Sequence, residues 1–452
     1  MIDSSADPSP SFFSQRRRRG LLWLVVFLCV ASWYGVSDSR YFKSDPAKWR
    51  IRGDFTNFSL AASRVMAKGG DPYDSAQVGR NYKYFPLNAL LLTPLAFMPI
   101  PMAQGVFLGI NSVLLIWALM AHYDLMGRNR AAWAAWIVAL LLGGRYILIS
   151  VQLGQWNLPV YTLTILGLWL ILCKRRRITG GALIGLAAGI KFMPAFFIFY
   201  FLAKRQWKTA ACVLLAILFW VLIFPTLFLG VERHKTLLKT YVEKSKGRVA
   251  DMVGEKPVVG HSLSTTIIAY LSDIEKQSVH RSSASINVLD LPLGTAQIIA
   301  KSVSVLLVIF VLGLMAWRGP GLKPDAGLLM ELGLVFILLL LISPEARKAQ
   351  FLGLLTAGLG LGMVMVDRSN ALWERRAAFV SFLVAGLVTL VSSAILPEAA
   401  RNWLHTHGSL TLVMLILFAN LSLFLIRDRR KTRALEPSLG RASLDRGGLQ
   451  SL

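Results

Sequence analysis

Apolar runs of a length suited to crossing a bilayer recur along the chain from Leu21 to Ile426, separated by short clusters of Arg and Lys. About 20 apolar residues are needed for one helical crossing, whereas a membrane β-barrel shows short alternating segments instead. The pattern therefore predicts an all-α polytopic membrane protein. Lys and Arg are retained on the cytoplasmic side, so the clusters at 16–19, 128–130, 174–177, 204–208, 318–323, 368–376 and 427–433 orient the helices. Placing all of them inside predicts crossings near 21–38, 102–123, 131–149, 155–173, 180–190, 193–204, 209–229, 297–317, 325–342, 349–366, 377–396 and 409–426. That makes about twelve spans with both termini cytoplasmic, a tail at 1–20, a membrane domain at 21–426 and a basic tail at 427–452 expected to lack structure.

Two stretches interrupt the pattern. Residues 180–203, "GGALIGLAAGIKFMPAFFIFYFLA", have basic clusters at both ends, which one straight helix cannot satisfy. Pro194 and the intramembrane Lys191 predict two short helices meeting at 191–194, with the lysine in a watery cavity. The competing form is one long helix with Lys191 facing a bundle partner. Residues 84–101, "YFPLNALLLTPLAFMPIP", hold four prolines and predict an interfacial or re-entrant element. The external loops then fall at about 39–101 and 231–296, the first carrying juxtamembrane helices.

Composition narrows the reading further. Of 452 residues, 55% are hydrophobic and 16% charged, against roughly a quarter charged in a soluble domain. The net charge of +25 sits in clusters beside apolar runs, which points to membrane lipids and excludes nucleic acid as a partner. Cys29, Cys173 and Cys212 all fall in apolar segments, so they form no disulfide or metal framework. Residues 16–36 resemble a signal peptide without a small-residue cleavage site and are expected to stay as an anchor.

Under this threading the polar motifs gather on the outer face. Asp54 precedes a helical pattern of Phe55, Phe58, Ala62 and Val65; it is either a helix cap or a reactive carboxylate. "GGDPYD" at 69–74 is a turn by composition, and Tyr73 and Asp74 in it are candidate sugar or acceptor contacts. "GQWN" at 154–157 offers Gln155 and Asn157, neutral groups suited to sugar hydroxyls or to capping. Lys191, with Arg347 and Lys348 of "SPEARK", is suited to a phosphate at the membrane surface; snorkelling or surface ion pairs are the bland alternative for the latter two. His261 and Ser262 of "GHSLS" begin another amphipathic stretch, and no second ligand at metal spacing accompanies the histidine.

These motifs, in this order, resemble glycosyltransferase family 87 within the GT-C membrane glycosyltransferases. The resemblance rests on "GDF" at 53–55, "GGDPY", "YFPLNALLLTPLAFMP", "GQWN", "GALIGLAAGIKFMPAFFIFYFLAKRQWK", "GHSLS" and "SPEARK", and covers roughly 50–400. It implies transfer of a sugar from a polyprenyl-phosphate donor to a lipid or glycan acceptor on the extracytoplasmic side of the cell membrane. Transfer would invert the anomeric centre and need neither metal nor other cofactor, with Asp54 as general base. Mannose is the first candidate by family frequency and arabinofuranose the second. The chain departs from many members at Gly260, His261 and Ser262, where they carry Asn-Gln-Ser, and at 347–350, where they carry one or two histidines. A lipid or polysaccharide transporter would instead show polar residues along several helices, and an O-antigen ligase or polymerase a large Arg- and His-bearing loop.

Overall fold

The structure, a computed structural model, describes residues 54–79, 81–127, 132–253, 260–273, 286–322, 324–343, 346–390, 397, 400, 403–405 and 407–447. The N-terminal tail and the expected span at 21–38 lie outside them. Every regular element among the described residues is helical. Lipid offers backbone groups no hydrogen-bond partner, so helices that satisfy their own are the expected solution. Among the described residues six helices are long and apolar enough to cross a bilayer, and five shorter apolar ones accompany them.

The first loop begins with a π-helical turn, Phe55–Leu60, running into α1 (Ala61–Ala67), then α2 (Ser75–Val78), α3 (Pro86–Leu91) and α4 (Thr93–Ala96). The proline-rich stretch is thus two short helices, far below spanning length. The bundle follows with α5 (Ile100–Leu125), α6 (Ala132–Leu153), α7 (Asn157–Leu172) and α8 (Arg177–Ile190). The chain breaks at Lys191, passes through a 3-10 turn at Met193–Phe196 and returns as α9 (Phe197–Ala203), so the two short helices expected at 191–194 are present. Next come α10 (Trp207–Leu218), a π turn, α11 (Phe224–Leu229), α12 (Val231–Val253), α13 (Leu263–Leu271), α14 (Leu293–Arg318) and α15 (Ala326–Ile342). A 3-10 turn at Lys348–Gly353 enters α16 (Leu354–Val366), followed by α17 (Leu372–Leu390) and α18 (Ser409–Gly447). α18 carries the polar tail onward as helix, where the sequence led us to expect no structure.

Small residues set the register. A Cβ at Gly143 would lie 2.7 Å from the Leu355 backbone, at Gly358 2.7 Å from Ala139, and at Gly362 2.6 Å from Ala135. These contacts pair α6 and α16 antiparallel at near-backbone distance, the kind of close approach that binds helices where lipid gives no hydrophobic drive. Gly333 against Ala357 does the same for α15 and α16, while Gly181 against Cys212 and Gly185 against Ala216 align α8 and α10 in parallel.

Followed helix by helix, this register sends chain segments to two ends. One end collects Asp54, the turn at 154–157, Lys191, α12, α13 and the start of the 3-10 turn at Lys348. The other collects the basic clusters at 174–177, 204–208, 318 and 427–430. At that second end Glu331 is 2% exposed and accepts from Lys204 Nζ (2.9 Å), Arg318 Nε (2.6 Å) and the Tyr200 hydroxyl (2.9 Å). Arg318 also donates to Asp428 (2.9 Å) and to the Leu425 carbonyl (2.8 Å), tying α14, α15 and α18 together. Lys204, expected to be a surface anchor, is 1% exposed.

Removing one partner of a buried ion pair strands the others, at a cost of roughly 3–5 kcal/mol. Glu331→Ala, leaving Lys204 and Arg318 facing each other, is expected to lower the unfolding midpoint in detergent markedly. A thermal scan showing an unchanged midpoint would mean that the cations rehydrate and that the network does not hold this end.

Candidate functional site

The first cluster grows from a tight contact between two loops. Gly154 has φ +60°, a conformation L side chains rarely adopt, and a Cβ there would stand 3.0 Å from that of Phe55. Glycine at 154 therefore lets the GQWN turn lie against the π turn that follows Asp54. Aromatic packing holds the pair: Phe55 stacks on Phe107 (4.4 Å), Phe107 meets Trp156 edge-on (5.3 Å), and the Trp156 indole donates to Ser59 Oγ (2.9 Å). Gln104 donates to Thr56 (2.7 Å), pinning the same turn to α5.

On this base the polar side chains form one line. Gln155 Nε2 donates to Asp54 Oδ2, Asn157 Nδ2 donates to Gln155 Oε1 (2.6 Å), and Lys191 Nζ donates to Asn157 Oδ1 (2.7 Å). Lys191 reaches Asn157 because α8 ends there in extended backbone, φ −148° and ψ 123°. An ammonium only donates and an ionised carboxylate only accepts, so the charges at the two ends dictate how both amides point. Each bond polarises the next. Asp54 does not cap its helix; no side-chain capping bond is made, and the carboxylate is directed to Gln155 instead. One such bond leaves a carboxylate with further acceptor positions. All four residues are partly exposed.

The helices that carry the cluster are short. α7 has 16 residues and α8 has 14. Those lengths are about 24 and 21 Å, short of the roughly 30 Å hydrocarbon core. α5 starts at Ile100, so it extends about two turns beyond the level at which Phe107 meets Trp156.

A second cluster forms at the same end from three distant segments. Lys348 Nζ donates to His405 Nε2 (2.7 Å), and the His261 ring lies 5.1 Å from that of His405. His261 is anchored by its own backbone: its N–H donates to the Ala346 carbonyl (2.8 Å), and its carbonyl accepts from Thr411 (3.1 Å). Burial foremost, then His405 and Lys348 nearby, push the His261 imidazole down to about 3. Ser262 is a helix cap, its side chain and that of Thr265 closing a capping box on α13. Arg347 is exposed beside Lys348; Pro344 and Glu345 lie outside the described residues. His405 was not singled out by sequence reasoning. Its one signal is position, two residues from His407 and just before the final span.

The other sequence candidates occupy a separate patch. Tyr73 is 1% exposed, its hydroxyl donating to the Tyr84 carbonyl (2.7 Å) and its ring packed near Tyr82 (5.4 Å) and Tyr241 (6.1 Å). Asp74 caps α2, accepting from Ala76 N–H (2.9 Å) and from Gln77 (2.9 Å); the Ala76 bond chiefly holds its carboxyl below the usual range. Arg233 of α12 donates to the Met66 and Gly70 carbonyls (3.0 and 3.2 Å), and Lys244 donates to that of Tyr73. α12 thus clamps the first loop over the bundle. Neither Tyr73 nor Asp74 belongs to the Asp54 line.

Comparison with known proteins adds an independent line. The sequence model of glycosyltransferase family 87 matches residues 82–344. A polyprenol-phosphate-mannose-dependent alpha-(1-2)-phosphatidylinositol mannoside mannosyltransferase of Mycobacterium tuberculosis is 27% identical over 231 residues, 46% of this chain and 52% of that protein. Its namesake from Mycolicibacterium smegmatis is 30% identical over 144 residues, 28% of this chain and 32% of that protein. The chain thus spans about half the length of the first relative and a third of the second. No solved structure matches. Gln155, Asn157, Lys191 and His261 fall inside the family match, while Asp54, Lys348 and His405 fall outside it.

A depressed imidazole carries a stability consequence. Unfolded, His261 takes a proton near pH 6.5; folded, it refuses one until about 3, so stability is lost as pH falls through that window. The unfolding midpoint in detergent is expected to drop between pH 7 and pH 5, and His261→Gln to drop less. Equal acid sensitivity in the two proteins would assign the loss to other groups.

Proposed function

The chain belongs to glycosyltransferase family 87, and we propose that it transfers a sugar, mannose in the first instance, from a polyprenyl-phosphate donor to a hydroxyl of a lipid or glycan acceptor. The fold is then of the GT-C type with about twelve crossings, both termini cytoplasmic, and the end bearing Asp54 facing outward. The observation that carries the reading is the hydrogen-bonded line from Asp54 through Gln155 and Asn157 to Lys191. It joins a carboxylate and a cation from separate segments at one end of the bundle.

The chemistry needs little more. Asp54 takes the proton of the acceptor hydroxyl as that oxygen attacks the anomeric carbon, and the bond to the donor phosphate oxygen breaks on the opposite side. Inverting transfer uses one base on the face opposite the leaving group. The departing polyprenyl phosphate is already an anion, so it needs positive charge more than a proton. Lys191, with Arg347 and Lys348 at the same end, supplies that charge. Gln155 and Asn157 keep the base and the cation in register, and their second amide N–H groups are available to sugar hydroxyls. The mannose-dependent relatives support the choice of donor.

Membranes holding wild type or Asp54→Asn, given labelled polyprenyl-phosphate mannose and a lipid extract, test this directly. Wild type is expected to form labelled glycolipid and the variant to lose roughly 100-fold or more, the usual weight of a general base. Equal transfer by both would remove Asp54 from the mechanism. No transfer by either removes mannose, and polyprenyl-phosphate arabinose is the next donor. Asn157→Leu, which cuts the line but keeps both charged ends, is expected to lower turnover by about 10- to 100-fold through lost positioning.

A further inference from the structure

The second cluster holds a contact that the proposed chemistry does not explain. Lys348 donates to an imidazole nitrogen, so His405 Nε2 must carry a lone pair, which places the ring proton of the neutral imidazole on Nδ1. A lysine is a flexible stem that loses rotamer entropy when held, so an ordered ammonium needs a fixed acceptor. His405 offers one, 57 residues along the chain from Lys348 and delivered by the segment that leads into α18. We propose that His405 is a positioning residue for Lys348, aiming its ammonium at the donor's phosphodiester and releasing it when Nε2 is protonated. This rests on the reading of Lys348 as a phosphate-binding cation.

Protonation of Nε2 removes the lone pair and sets two cations at hydrogen-bond distance, so the contact must break. The surroundings make that event legible. His261, from the segment before α13, is held neutral down to about 3 and so does not change charge in an ordinary assay range. His407, two residues on, packs at a tilt against Trp403 (4.2 Å) with Nδ1 at the Trp403 carbonyl (2.8 Å), turned to its own segment; Tyr270 donates to the His407 carbonyl (3.4 Å). The donor phosphodiester is a fixed single charge. A general base such as Asp54 acts on turnover, whereas a phosphate-positioning pair acts first on donor affinity.

The experiment is a donor titration in proteoliposomes of the full chain between pH 5 and 8, for wild type, His405→Ala, His405→Gln and Lys348→Ala, each checked for an unchanged unfolding midpoint. Glutamine places an acceptor oxygen near the Nε2 position and does not titrate. His405→Ala is expected to raise the donor KM roughly tenfold or more at pH 7.5, the weight of a hydrogen bond to a charged group. His405→Gln should restore KM at that pH and lose the rise that wild type shows on acidification. A structural role would not give that split. If Lys348→Ala raises KM and neither His405 variant does, or if both variants fail equally at every pH, the positioning role is wrong while the reading of Lys348 stands. If Lys348→Ala leaves KM unchanged, that reading falls and the inference with it.

Discussion

An ammonium among apolar helices is tolerable only if something accepts its hydrogen bonds, and the site is arranged around that requirement at Lys191. The helix that carries it must stop, which Pro194 ensures, and an acceptor must wait beside the break. Asn157 fills that place from the first turn of α7. Its other amide face is then obliged to donate, Gln155 receives, and the remaining amide N–H is left to find an acceptor. Asp54 is that acceptor. The Lys191 cation thereby determines where the Asp54 carboxylate points, and the glycine at 154 lets the two loops approach closely.

The two ends of the bundle treat charge in opposite ways. At the end with the basic clusters, Glu331 is enclosed by Lys204, Arg318 and Tyr200, each within hydrogen-bond distance. Such a saturated, buried arrangement defines how the helices sit against one another, and it has no capacity left for a ligand. At the other end the charged groups stay partly exposed and are separated by neutral amides or imidazoles. Along the Asp54 line that spacing keeps cation and carboxylate from collapsing into an ion pair.

Much of the helix pattern was legible because lipid restricts the backbone so strongly. The apolar periods, the break at 191–194 and the short proline-bounded elements at 84–101 all follow from local chemistry. The grouping of the polar motifs at one end followed from the placement of Arg and Lys. Harder to read were side chains with two good uses. Asp54 suits a helix cap as well as it suits a base, and nothing in "RGDFTNF" discriminates between them. Lys204 belonged to a surface cluster by sequence, yet its partner on α15 buries it. His405 had no local pattern at all, since its meaning comes from Lys348 and His261.

By itself the sequence determined the all-helical membrane class and the end at which the polar motifs gather, and it singled out Asp54, Gln155, Asn157 and Lys191 as candidates. Those follow from hydropathy, charge asymmetry and proline, which act within a few residues of themselves. Tertiary structure alone decided which of these groups touch, that two amides link carboxylate to cation, that His405 holds Lys348, and that Glu331 locks the far end. Such contacts join segments tens to hundreds of residues apart. Their geometry depends on how closely small residues such as Gly143 and Gly358 let the helices approach, and helix-to-helix distance is a property no local stretch of chain contains.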